Sequence, residues 1–88
     1  MPNKIVGILR EIRVYRDELI SGTIEVTNKV PKQNSVDEHE ELLEVYFSCS
    51  DKESSEIIRK SNGMISLFGY FQKTLNGLVF KTLKAEEE

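Results

Sequence analysis

The chain has no tryptophan, one cysteine, one histidine and two prolines among its 88 residues. A lone thiol, Cys49, cannot close an internal disulfide and has no metal-ligand companion nearby, which points to a reducing, cytoplasmic location. His39 sits among Asp37, Glu38, Glu40 and Glu41, with no partner at the spacing a metal site or a general base would need. No glycine-rich phosphate cradle and no metal signature occur. Neither a catalytic activity, a cofactor nor a small-molecule substrate is therefore expected. No apolar run approaches the length of a membrane span, and Met1-Pro2-Asn3-Lys4 leads directly into a strand pattern instead of a signal peptide.

What is present is charge, unevenly distributed. The net charge is −3, which taken alone argues against a polyanionic partner. Residues 1–33 hold six bases and four acids, residues 34–56 eight acids and one base, and residues 57–85 five bases and no acid. Glu86, Glu87 and Glu88 close the chain. A polyanion responds to the local field, so the basic segments keep a nucleic-acid partner open.

Alternation dominates the hydrophobic pattern. Lys4 to Tyr15 reads as a long first strand in which Ile5, Gly7 and Leu9 share one face and Val6, Ile8 and Ile12 the other, with Gly7 marking a bulge or barrel corner. Arg16-Asp17-Glu18 is a turn. Leu19 to Thr27 is a second strand with Ile24 and Val26 inward. Residues 28–41 lack both period and apolar content and read as a mobile loop, with His39 inside it. Leu42 to Ser50 is the third strand, with Leu43, Val45, Phe47 and Cys49 on its apolar side.

Asp51 to Lys60 is the one helical stretch, capped by Asp51 and buried through Ile57 and Ile58. Ser61-Asn62-Gly63 turns into a fourth strand ending at Lys73, Thr74-Leu75-Asn76-Gly77 makes a hairpin, and Leu78 to Ala85 is the fifth strand. Glu86 to Glu88 read as a frayed acidic end. The chain is expected to form a single domain over residues 1–88. Its class is all-β, a five-stranded OB-fold barrel with one short helix between strands 3 and 4.

Seven aromatics stand in the sequence. Phe47 and Phe71 share the apolar parity of their strands, whereas Tyr46, Phe68 and Tyr70 have the outward parity. Exposed rings stack on any base and confer affinity without sequence choice. Ser48 and Gln72 share those faces, and Lys73 and Lys81 lie close by; Lys4, Arg10 and Arg13 on the first strand can follow phosphates. A competing cover for Phe68 and Tyr70 is a second subunit in a homo-oligomer.

N-K-I-V-G-I-L at Asn3 to Leu9 and S-G-T-I-E-V-T-N at Ser21 to Asn28 resemble the opening and second strands of the bacterial single-stranded DNA-binding protein family. E-V-Y-F-S-C, a short helix and R-K-S-N-G-M-I-S-L-F-G-Y-F-Q resemble its third strand, helix and fourth strand, with Gly69 matching a family glycine and Phe68 replacing its usual acid. The family's tryptophans and its long acidic tail are missing, and the bare domain looks like the PriB-like branch and the small single-domain proteins of mollicutes. The resemblance implies sequence-independent binding of single-stranded DNA by a non-enzymatic homo-oligomer, in replication, repair or primosome function. Two other functions fit the residues: an OB module whose aromatic face binds protein as an adaptor or assembly subunit, and single-stranded RNA binding.

Overall fold

Six elements follow one another: β1 (Asn3–Val14), β2 (Ile20–Pro31), β3 (Glu38–Cys49), α1 (Lys52–Lys60), β4 (Met64–Thr74) and β5 (Gly77–Glu87). The computed structural model describes residues 3–15, 19–31 and 38–88, the side chains of 28–31 and 38–40 excepted. The strands close into a barrel in the order β1-β2-β3-β5-β4, with α1 between β3 and β4 in the chain. This is the five-stranded OB-fold barrel expected from the element order. The expected turn at Arg16-Asp17-Glu18 lies outside the described residues.

Closure depends on β1 serving two neighbours. Its first half, Asn3 to Ile8, pairs with β4, and its second half, Ile8 to Val14, pairs with β2. Gly7 stands at this changeover, where an added Cβ would collide with the carbonyl of Glu25. The bulge is not at Gly7, however. It falls between Leu9 and Glu11, so Arg10 is the extra residue. That inserted residue turns Ile12 to the side of Ile5 and Leu9, and all three pack against the core. The strict alternation that grouped Ile12 with Val6 and Ile8 fails here because a bulge reverses parity beyond it.

The core is drawn from every element except β1, which packs partly buried residues against it. Ile20, Ile24, Phe47, Ile58, Ile65, Leu67 and Phe80 are fully or almost fully buried. Each large apolar side chain so placed contributes about 2 kcal/mol of transfer free energy. In β5, Phe68 pairs with Lys84 while Gly69 pairs with Thr82, which makes Leu83 the extra residue. Beyond this second bulge Ala85 turns inward and Leu83 outward.

Helix α1 forms for local reasons and is anchored by distant ones. The Asp51 carboxylate accepts from the Ser54 N–H at 3.0 Å, and Glu53 and the pair Arg59 and Lys60 sit at the ends the helix dipole favours. Ile58 is fully buried, Ile57 packs beside the core, and the Ser54 hydroxyl accepts from the Ala85 N–H at 3.0 Å. Cys49 is a buried thiol as expected, with its sulfur 3.6 Å from the Ser55 hydroxyl.

Three sequence expectations are corrected. Residues 28–31 and 38–41 are strand, not loop: the β2–β3 ladder continues from Asn28 opposite Glu41 to Pro31 opposite Glu38, so His39 is a β3 residue opposite Val30. Backbone pairing along a hairpin needs no apolar period. The acidic end is paired instead of frayed, since Glu86 and Glu87 oppose Ser66 and Ile65, and the Glu88 N–H donates to Met64. Phe71 is 40% exposed instead of core, with its ring edge-on to Phe80 at 5.0 Å. Beyond Gly69, among the described residues, β4 pairs only with β5, so Phe71 stands where the hairpin leaves the barrel. Among the described residues no helix is long and apolar enough to cross a membrane.

Candidate nucleic-acid interface

The two long hairpins define the site. β3 and β5 are parallel neighbours for only three residue pairs, Phe47–Phe80, Ser48–Lys81 and Cys49–Thr82. Before those pairs each strand belongs to its own hairpin, β2–β3 or β4–β5. A groove of about 460 Å³ opens between them, with a wall from β1. Glu11 and Arg13 line it from β1, Ser21 and Thr23 from β2, Tyr46 and Ser48 from β3, and Leu78, Val79 and Lys81 from β5. Thr74 and Asn76 complete it at the β4–β5 turn. That turn is held by the Thr74 hydroxyl, which donates to the Gly77 carbonyl at 2.7 Å and accepts from the Asn76 N–H at 3.2 Å. Gly77 has φ of +116°, a backbone region that favours glycine.

Register converts these residues into rows. Arg13 opposes Ser21, Ser21 opposes Ser48, Ser48 opposes Lys81, and Lys81 opposes Tyr70. One row therefore crosses all five strands with cations on either side of two serines and a tyrosine at its end. Beside it, Glu11 opposes Thr23 and Thr23 opposes Tyr46. Tyr46 and Tyr70 are 58% and 49% exposed, so both leave side-chain surface open to a ligand.

Arg13 is tied to its surroundings. Its Nε donates to Glu11 Oε1 at 3.0 Å, and this bond, together with the attraction of the carboxylate and a contact with Tyr15, raises the guanidinium pKa. Tyr15 is held below its ordinary phenol value of 10.0, first by a hydrogen bond with Ser21 and then by one with Arg13. Tyr15 thus belongs to the same edge of the groove.

Of the residues singled out in the sequence, Arg13, Tyr46, Ser48 and Lys81 line the groove, and Tyr70 extends their row. Gln72 and Lys73 lie opposite the groove residues Val79 and Leu78 and are exposed. Arg10, at the bulge, is 3.8 Å from Glu25 and does not line the groove. Lys4 and Phe68 stand apart on the β1–β4 face. There the Lys4 ammonium lies 5.5 Å from the Phe68 ring centroid, and Phe68 is half-buried between Lys4 and Lys84 in the register. Sequence reasoning passed over Tyr15, Glu11, Ser21 and Thr23. The outward parity of Ser21 and Thr23 was readable, but their place beside Tyr46 depends on the β2–β3 register.

No protein-family model matches the chain, and no curated protein does. Solved structures match it over nearly its whole length. PriB from Ralstonia solanacearum superposes with a TM-score of 0.65 at 16% identity, covering 99% of this chain and 96% of the other. A second structure of that protein gives 0.64 at 16% identity, covering 99% and 97%. The Plasmodium falciparum SSB in complex with ssDNA gives 0.64 at 12% identity, covering 97% and 90%. The fold is PriB- and SSB-like. In this PriB-like barrel the paired hairpins, the groove between them and the three-pair seam are continuous parts of one architecture.

Proposed function

We propose that this protein binds single-stranded DNA in the groove between its two hairpins, without catalysis, during replication, repair or primosome assembly. The observation that carries the proposal is the row Arg13–Ser21–Ser48–Lys81–Tyr70, flanked by Tyr46 in the same groove. Strands lie about 4.8 Å apart, so Arg13 and Lys81, three strands apart, are about 14 Å from each other. That span suits two phosphates separated by two nucleotide steps of an extended strand. Tyr46 and Tyr70 supply stacking surfaces to the bases, worth about 1–3 kcal/mol each and open to every base. The serine hydroxyls between the cations can donate to phosphate or base oxygens. Lys73 and Gln72 extend the track along the β4–β5 hairpin. The Plasmodium falciparum SSB, whose fold this barrel resembles, is in complex with ssDNA, which supports this choice of ligand.

The test is a titration of a labelled oligo-dT at several salt concentrations. Binding that weakens with salt, with a log–log slope of about −0.7 for each phosphate neutralised, is the expected outcome. Arg13→Ala and Lys81→Ala each reduce both affinity and slope. No binding at low salt sinks the proposal. An oligo-U of equal length, bound as tightly, would extend the ligand to RNA.

A homo-oligomer accompanies this function. Ile8 and Met64 oppose each other in register and are 45% and 52% exposed, with Val6 two residues from Ile8 on the same outer β1–β4 face. This apolar strip is on a different face from the groove, so a second copy can cover it without displacing DNA. Sedimentation analysis of Ile8→Lys should then give monomers that still bind DNA through the groove.

A further inference from the structure

We infer that the groove contains a base-reading position in which the Glu11 carboxylate accepts from the exocyclic amino group of cytosine, giving a preference for cytosine over thymine. This inference rests on the proposed DNA-binding function and deepens it. Stacking on tyrosine does not choose between bases; a carboxylate beside the stacking ring does.

Glu11, Thr23 and Tyr46 stand in one register row on three adjacent strands, and all three line the groove. At about 4.8 Å per strand, the Glu11 and Tyr46 backbones are about 10 Å apart. Thr23 lies between them and is only 5% exposed, so it forms a low floor and not a wall. A pyrimidine stacked on Tyr46 spans this floor and brings its outer edge to Glu11. The carboxylate is tied to the edge of the groove there: Oε1 accepts from Arg13 Nε at 3.0 Å, and an ionised carboxylate keeps further acceptor sites for a base.

An ionised carboxylate only accepts hydrogen bonds. Cytosine presents the N4 amino donor on its edge, whereas thymine presents the O4 acceptor and a methyl group. The two bases are similar in size and in stacking surface. At the 4-position cytosine therefore donates to the carboxylate, whereas thymine sets lone pair against lone pair there and offers its N3–H only one ring position away. An acid in an otherwise cationic groove weakens phosphate binding, and base selection is the compensating use that this geometry supports.

The experiment compares labelled oligo-dC and oligo-dT of equal length, at neutral pH and one salt concentration, on the wild type and on Glu11→Gln. The wild type should bind oligo-dC about three- to tenfold more tightly, the scale of one ordinary hydrogen bond, as suits a carboxylate that is still open to solvent. Glu11→Gln can donate as well as accept and loses one negative charge, so both oligomers should bind more tightly and within about twofold of each other. In the wild type, an oligomer of N4,N4-dimethylcytosine, which has no amino donor, should fall to the oligo-dT level; this arm leaves the protein unaltered. Equal binding of oligo-dC and oligo-dT, a preference for oligo-dT, or a cytosine preference that survives Glu11→Gln or N4-dimethylation overturns the inference alone. Failure to bind any oligomer overturns the DNA-binding proposal and this inference with it.

Discussion

Tyr46 and Tyr15 show what a side chain's address does to its chemistry. Tyr46 lines the groove from β3 and is largely exposed. Tyr46→Ala should weaken oligo-dT binding by about tenfold, within the range of a lost base stack, while Tyr46→Phe keeps the affinity; fluorescence anisotropy distinguishes them. Tyr15 titrates below 10.0 because Ser21 and Arg13 stabilise its phenolate. In an alkaline titration followed by phenolate absorbance, Tyr15→Phe should remove a component that ionises below 10. As the pH rises through that lowered value, a negative charge appears beside Arg13, so wild-type DNA binding should weaken at a lower pH than binding by Tyr15→Phe. Tyr46 was legible from parity alone, since no bulge interrupts β3 before it. Tyr15 was not, because the Arg10 bulge shifts the end of β1 and no pattern in the residues announces it.

At the scale of elements, the features written locally could be read and those settled between strands could not. The Asp51 cap, the basic last turn of α1 and the Asn76-Gly77 turn depend on neighbours in the chain, and each is found where the residue types put it. The extent of the β2–β3 hairpin and the parity switches at Arg10 and Leu83 depend on partner strands far away in sequence. Helix α1 offers a clean separation of stability from binding. Asp51→Ala should cost about 1 kcal/mol in a denaturant melt by removing the acceptor for the Ser54 N–H. Ser54→Ala should cost about 1–3 kcal/mol, because the buried Ala85 N–H loses its acceptor. Neither residue lines the groove, so oligonucleotide affinity at low temperature should be unchanged in both.

For the molecule as a whole, segregation of charge reconciles the negative net charge with the polyanionic partner proposed above, with Arg13 and Lys81 placed at the groove by topology and not by proximity in sequence. The barrel was readable from the order of five strands and one helix; the groove was not, because it exists only once β3 and β5 meet. That meeting has a mechanical consequence. With only three parallel residue pairs, the β3–β5 seam is the shortest ladder in the barrel, and local opening should start there. Ser48 and Lys81 face each other across the seam and line the groove. A nucleotide strand that engages both would act as a staple, converting binding energy into resistance to opening. Hydrogen exchange at the Ser48 and Lys81 amides should therefore slow on adding oligo-dT, with a smaller change along the longer β2–β3 ladder. The ligand would complete a closure that the chain itself leaves to three pairs of residues.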